Sequence, residues 1–141
     1  MSNIDITQLV TADQKLAAAK TSALSRIKSA LGEAMASGVC TLSLGWQIDA
    51  RRSGVNDDVA NMQGLLTLAQ SQGLSDTAAV PGGGIKGHDN SMHPVTVAEL
   101  RDHVIPEMIA YGLSLYQKKW DLGTQIAAAA TLSDLDAVVW S

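Results

Sequence analysis

Two histidines and an aspartate, His88, Asp89 and His93, lie within six residues of one another. Imidazole nitrogens and carboxylate oxygens are ligands of zinc, which takes three or four of them at about 2 Å. These residues could surround a metal only if the segment folded back on itself. Alternatively, Asp89-Asn-Ser91 forms the turn of a hairpin running from Ile85 to Val95, because Asp and Asn tolerate left-handed backbone conformations. We favour the turn and keep a metal-binding enzyme as a remote alternative.

The other polar residues form no pattern typical of an active site. The acidic pairs Asp57-Asp58 and Asp134-Leu-Asp136 lie on the polar side of a predicted helix and beside a predicted cap. The glycine run Gly82-Gly-Gly84 is not followed by the Gly-Lys-Ser/Thr sequence that holds phosphate in a P-loop. The single Cys40 lies among apolar residues, which favours a buried thiol. We therefore expect no enzyme activity, no catalytic residue and no cofactor.

Composition argues against two classes of partner. Ten Lys and Arg against fourteen Asp and Glu give a formal net charge of −4, and the basic pairs Arg51-Arg52 and Lys118-Lys119 are far apart. A nucleic-acid partner usually requires a basic patch or stripe. The start, Met1-Ser-Asn-Ile-Asp5, lacks the features of a signal peptide, and no stretch approaches 18 uninterrupted apolar residues. We expect no nucleic-acid or membrane partner and a chain that folds in a cytoplasm.

The N-terminal half contains helical and strand-like patterns. We predict one domain over residues 1–141, with residues 1–10 as a flexible arm. A capping box at Thr11-Ala-Asp-Gln14 starts a helix that ends near Gly38. Residues 39–49 then alternate apolar and polar, which predicts two short strands around Gly45.

A second helix follows this hairpin. Asp49 is its predicted N-cap; alternatively the regular helix starts near Asn56, because Gly54 weakens the first turns. Its apolar stripe has spacings of three and four residues and is formed by Val55, Val59, Met62, Leu66 and Ala69. Residues 74–87 contain Pro81 and the glycine run, and we predict a loop there.

The C-terminal third predicts one long helix. A capping box at Thr96-Val-Ala-Glu99 opens an apolar stripe that continues to about Ala129, and a third box at Thr131-Leu-Ser-Asp134 opens a final turn. The long helix would exceed the width of such a domain. Either Pro106 kinks it or one end projects onto a partner. Together the patterns predict a mainly α fold with one or two small β-hairpins, an α+β class, and a C-terminal helix kinked near Pro106.

Several segments together resemble a known family. They are Trp46-Gln-Ile-Asp-Ala-Arg51, His88-Asp-Asn90, Val95-Thr-Val-Ala-Glu-Leu100 and the Ala-rich, Trp-ended tail over residues 125–140. The chain is similar, over about residues 15 to 140, to a small domain of unknown function in tailed-phage and prophage tail proteins. That domain often lies at the C-terminal end of tail-fibre or tail-fibre-assembly proteins. The family usually has a Trp-containing strand before the His-Asp-Asn segment, where this chain has Gly-Ile-Lys.

The resemblance implies a role in protein contact. We expect a tail-fibre-associated protein that binds a phage tail-fibre polypeptide and helps its assembly, in the host bacterial cytoplasm. The alternative is a permanent structural or receptor-facing component of the virion tail, and self-association through the long helix stays open. The expected partner-binding residues lie on the long helix and the first hairpin: Trp46, Leu100, Val104, Met108, Tyr111, Leu115 and Trp120.

Overall fold

The structure is a computed structural model and describes residues 11–141. The predicted arm over residues 1–10 lies outside the described residues. The chain divides into two compact units. The helical unit comprises, in its described part, residues 11–31 and 116–141, and the hairpin unit comprises Gly32–Leu115.

The first helix, α1, spans Thr11–Ala36. Its Ala-rich sequence has high helix propensity. Within the helical unit it buries Ala23 and Ile27, which lie one turn apart on one face. After α1 the chain turns at Gly38, where a Cβ atom would lie 2.7 Å from the carbonyl oxygen of Ala50, so only glycine fits.

Two small hairpins follow α1. Strands β1 (Val39–Thr41) and β2 (Gln47–Asp49) pair antiparallel, as predicted. Gly45 in their connection has φ = +98°, a conformation that favours glycine. Strands β3 (Arg52–Ser53) and β4 (Asn56–Asp57) then form a second antiparallel pair that the sequence patterns had not suggested.

Helix α2 spans Asp58–Ser71, and its N-cap is Asp57, whose carboxylate accepts the Ala60 N–H at 3.0 Å. The prediction that Asp49 caps this helix is wrong, because the chain first forms β3 and β4. Gly54, with φ = +54°, allows this tight turn. Val55, which we had placed on the apolar stripe, lies in the turn and is 97% exposed.

The predicted loop over residues 74–87 is largely a strand. Strands β5 (Ala79–Lys86) and β6 (Met92–Thr96) pair antiparallel, with Ile85 opposite His93. The register shifts between Ala79 and Gly84, and Gly82 and Gly83 in that interval have positive φ. The glycine run is therefore a bulge within a strand rather than a loop, since glycine supplies the backbone conformations that a bulge needs.

The hairpin predicted around Asp89-Asn-Ser91 is confirmed. Asn90 has φ = +64° at the turn. The carboxylate of Asp89 accepts the Ser91 N–H at 2.9 Å, and the Gly87 N–H donates to the Ser91 carbonyl at 2.9 Å. Both contacts are local, which explains why the sequence indicates this turn.

The long C-terminal helix is confirmed, with a local change of geometry before its proline. Helix α3 (Val97–Glu99) continues through a π-helical turn (Leu100–Val104) into α4 (Ile105–Ala128). Pro106 cannot donate a backbone hydrogen bond, and its ring would crowd the preceding turn of a regular α-helix. The wider π turn accommodates it. A short helix, α5 (Leu132–Asp136), follows behind the predicted capping box at Thr131.

Each unit has its own apolar core. The core of the hairpin unit is formed by strands β1, β2, β5 and β6 with α2 and the first turns of the long helix, and contains Cys40, Leu42, Ile48, Ala50, Val59, Val80, Ile85, Val95, Leu100, Val104, Ile105 and Met108. The core of the helical unit is smaller and contains Ala23, Ile27, Leu122, Ile126, Ala129, Leu135 and Val138. The predicted class, mainly α with small β-hairpins, is confirmed.

Candidate functional site

Three of the predicted partner-binding residues are buried. Leu100 and Val104 are 0% exposed and Met108 is 1% exposed, all in the core of the hairpin unit. The prediction that they contact a partner is wrong, because the hairpins already cover this face of the long helix. Helical periodicity shows that a face is buried but not whether the chain itself or another molecule buries it.

The other four predicted residues are more accessible. Trp46 and Tyr111 are half-buried against the core of the hairpin unit, and Leu115 is also half-buried. Trp120 belongs to the helical unit and is 57% exposed. Large exposed aromatic side chains are enriched at protein interfaces, so Trp120 is the predicted residue whose placement best suits a partner.

Trp120 lies beside an apolar hollow in the helical unit. The hollow has a volume of about 430 Å³ and is lined by Leu24 and Ile27 of α1 and by Lys119, Trp120, Gly123, Thr124 and Ala127 of α4. Gly123 and Ala127 lie one turn apart on α4, and because both are small they leave a space that larger side chains at these positions would fill. We refer to this feature as the apolar hollow.

The side chains around the apolar hollow keep much of their apolar surface in water. Leu24 is 49% exposed. The ring of Tyr116, one turn before Trp120, lies 6.0 Å from the Trp120 ring at 37°, and it is also exposed. Trp140, by contrast, packs against the core of the helical unit under the Lys118 ammonium, 4.9 Å from its ring centroid. Trp140 thus acts as a packing anchor of the helical unit.

The sequence patterns did not predict that Leu24 and Ala127 lie close together. They are more than a hundred residues apart, and their proximity arises because α1 packs on α4 within the helical unit. A signal was nevertheless present, since Gly123 and Ala127 form a small-residue pair at helical spacing, where another element can approach closely.

The histidines of the metal hypothesis pair with different carboxylates. Nδ1 of His88 lies 2.7 Å from a carboxylate oxygen of Asp49, and Nε2 of His93 lies 3.2 Å from Asp89. The His93 ring also stacks on Trp46, with centroids 4.3 Å apart and planes 1° from parallel. Among residues 11–141, no group of three or more His, Cys, Asp or Glu is placed to hold a metal ion.

Glu107 and Cys40 lie near each other, and their contacts are structural rather than catalytic. The Glu107 carboxylate accepts hydrogen bonds from the Ser43 N–H and hydroxyl, each at 2.6 Å. The Ser43 hydroxyl is the main cause that lowers the pKa of Glu107, and His103 at 3.5 Å contributes. Burial, followed by the charge of Glu107, raises the pKa of the Cys40 thiol. A thiol that stays protonated is a poor nucleophile.

Asp58 and Asp134, one residue from each acidic pair, also have structural partners. Asp58 is buried and accepts from the backbone N–H of Arg51 at 2.7 Å and from its guanidinium Nε and Nη2 at 2.9 and 3.1 Å. A cavity of about 220 Å³ lies beside this pair, and the two charges that Arg51 and Asp58 contribute to its lining compensate each other. Asp134 closes the last capping box, and the Ala130 N–H is the main cause that lowers its pKa.

The comparisons with known proteins identify a family. No described helix has the length and apolar character needed to cross a membrane. Neither the curated proteins nor the solved structures give a match. The family described as "Domain of unknown function (DUF4376)" matches residues 18–139, which is most of the chain. The chain therefore belongs to this family of domains of unknown function.

Proposed function

We propose that this protein acts by protein–protein contact in the assembly of a phage or prophage tail fibre, as a chaperone-like partner of the fibre polypeptide. The observation that carries the proposal is the apolar hollow with the exposed Trp120 at its edge. The resemblance described under Sequence analysis supports the choice of a tail-fibre polypeptide as the partner.

The apolar hollow has the features of a protein contact surface. An interface gains most of its free energy from a few apolar or aromatic side chains that become desolvated at its centre. Trp120 and Leu24 both leave about half of their surface in water, and they lie on opposite walls of the same hollow. A side chain inserted between them would remove both surfaces from water. Burial of apolar surface contributes about 25 cal/mol of binding free energy per Å².

Such a surface could cover the apolar groups that a fibre chain exposes before it assembles. Chains that have not yet assembled expose apolar surface and unpaired strand edges, which makes them prone to aggregation. A small partner that covers this surface keeps the fibre chain soluble until the other chains of the fibre trimer take the partner's place. This role would place the protein in the host bacterial cytoplasm during assembly.

The test is co-expression with a tail-fibre gene from the phage or prophage that encodes this protein, comparing wild type with Trp120→Ser. We expect wild type to raise the soluble, trimeric fraction of the fibre, and Trp120→Ser to lose this effect. Leu113→Ser is the matched control, because Leu113 is also an exposed apolar residue of α4 but does not line the apolar hollow. Unchanged fibre solubility and trimer yield with wild type would contradict the proposal.

Proteomics of purified particles separates assembly from the alternative role. A chaperone-like partner leaves before the particle is complete, so we expect the protein to be absent from virions. Stoichiometric retention in the particle would instead support a permanent structural or receptor-facing tail component.

A further inference from the structure

The two units differ in the sign of their charge. Residues 11–31 and 116–141 carry six basic and four acidic residues, whereas residues 32–115 carry four basic and nine acidic residues. The described part of the helical unit therefore has a formal charge of +2 and the hairpin unit −5. A basic surface on an acidic protein indicates attraction for an acidic partner, because charge complementarity steers association and selects partners.

Three lysines place this positive charge at the apolar hollow. Lys119 lines it directly. Lys20 and Lys28 lie one helical turn before and after Leu24 on α1, and the Lys20 ammonium donates to the Ala127 carbonyl oxygen at 3.0 Å. Lysine keeps its ammonium in water while its aliphatic stem covers apolar surface. Cationic groups on α1 and on α4 therefore flank the apolar hollow.

These lysines have no acidic partner of their own within the described part of the chain. Every ion pair between side chains of residues 11–141 lies in the hairpin unit, from Asp49 to Glu107. Carboxylates of a second molecule can thus bind Lys20, Lys28 and Lys119 without breaking an existing pair. A symmetric contact of two copies through this surface would instead bring the lysines together, and like charges oppose it.

We infer that the apolar hollow binds a partner segment in which a large apolar side chain is flanked by Asp or Glu residues. The apolar side chain inserts between Leu24 and Trp120, and the flanking carboxylates pair with Lys20, Lys28 and Lys119. This inference rests on the proposed role in protein contact and adds the chemistry of the segment that is recognised.

The experiment is a selection from a library of random twelve-residue peptides displayed on a carrier, with the full-length protein as bait. Three baits are compared: wild type, Trp120→Ser, and a charge-reversed variant with Lys20→Glu, Lys28→Glu and Lys119→Glu. Arg26→Glu is the control for a charge reversal on α1, because Arg26 is exposed and lies two residues after Leu24, on the other side of the helix, whereas Lys20 and Lys28 share the face of Leu24. Thermal unfolding of each bait verifies that the variants are folded.

We expect wild type and Arg26→Glu to enrich peptides with an apolar residue between acidic ones. The charge-reversed variant should enrich basic flanks instead, and Trp120→Ser should enrich neither. For the best wild-type peptide, measured by fluorescence anisotropy, charge reversal should weaken binding about tenfold or more, and added salt should weaken binding to wild type.

Enrichment of the same peptides by wild type and the charge-reversed variant would overturn the inference, as would the lack of any peptide that requires Trp120. Failure of the proposed function gives a different result. If the fibre does not bind but acidic peptides still depend on Trp120 and the lysines, only the choice of the fibre as partner is wrong.

Discussion

The hairpin unit and the helical unit satisfy their side chains differently. The hairpin unit buries most of its large apolar residues in one core and pairs its three histidines and three arginines with carboxylates. The helical unit leaves Leu24, Tyr116 and Trp120 exposed, and the three lysines that line or flank its apolar hollow have no carboxylate partner in the described chain. In our proposal, this difference is the reason that the helical unit, rather than the hairpin unit, binds the partner.

Replacement of a core leucine should have the largest effect on stability. Leu100→Ala removes a side chain that is 0% exposed, and we expect a loss of about 2–5 kcal/mol in the free energy of unfolding. Leu113→Ala, also in the hairpin unit but 48% exposed, should cost less than about 1 kcal/mol. Urea unfolding measures both. Equal losses would mean that the hairpin unit is not packed as described.

Removal of the buried carboxylate should have the next largest effect. Asp58→Asn replaces the acceptor of three hydrogen bonds from Arg51, and we expect a loss of about 1–3 kcal/mol. The control is Asp76→Asn, which loosens an exposed pair with Arg101 and should leave stability nearly unchanged. If Asp76→Asn destabilised the protein as much as Asp58→Asn, burial of Asp58 would not be the reason that its hydrogen bonds to Arg51 stabilise the fold.

The same substitution, Thr→Ala at a helix N-cap, can be made in each unit, so that its effects on the two units can be compared. Thr96 caps the long helix in the hairpin unit, and Thr131 caps α5 in the helical unit. Each Thr→Ala substitution should cost about 1 kcal/mol locally. Hydrogen exchange should show faster amide exchange in the unit that carries the substitution. Faster exchange spread equally over both units would argue against their separate packing.

Acid should produce the smallest effect and act mainly on the hairpin unit. The pKa of Glu107 is lowered by the Ser43 hydroxyl and that of Asp89 by the Ser91 N–H, so both favour the folded state while ionised. This contribution is complete above the unfolded-state pKa of about 4 and is lost as the pH falls through the lower folded-state values. Melting temperatures from pH 6 to pH 3 should fall less steeply for Glu107→Gln than for wild type. Identical slopes would show that the Ser43 contacts do not stabilise the fold.

Local signals in the sequence predicted much of the fold. The capping boxes at Thr96 and Thr131 and the turn at Asn90 depend on residues a few positions apart, so their residue types are sufficient evidence. The N-cap of α2 was misplaced because Asp49 and Asp57 are both suitable residues. Only the pairing of β3 with β4 decides between them.

Features that depend on distant contacts were less predictable. The glycine run became a strand because β6 pairs with it, and the sequence of β5 does not reveal that partner. The stripe on the long helix gave the correct face but not what covers it, so Leu100 and Met108 were assigned to a partner although the hairpin unit buries them. Trp120 was identified, but the opposite wall of its hollow, formed by α1, depends on tertiary packing.

The most direct test of the account is the dissociation constant of the purified fibre polypeptide for wild type, Trp120→Ser and Leu113→Ser. An aromatic side chain at the centre of an interface contributes about 2 kcal/mol or more, which corresponds to about 30-fold in affinity. We expect such a loss for Trp120→Ser and little change for Leu113→Ser. Equal affinity for wild type and a folded Trp120→Ser variant would contradict the claim that the helical unit binds the partner through its apolar hollow.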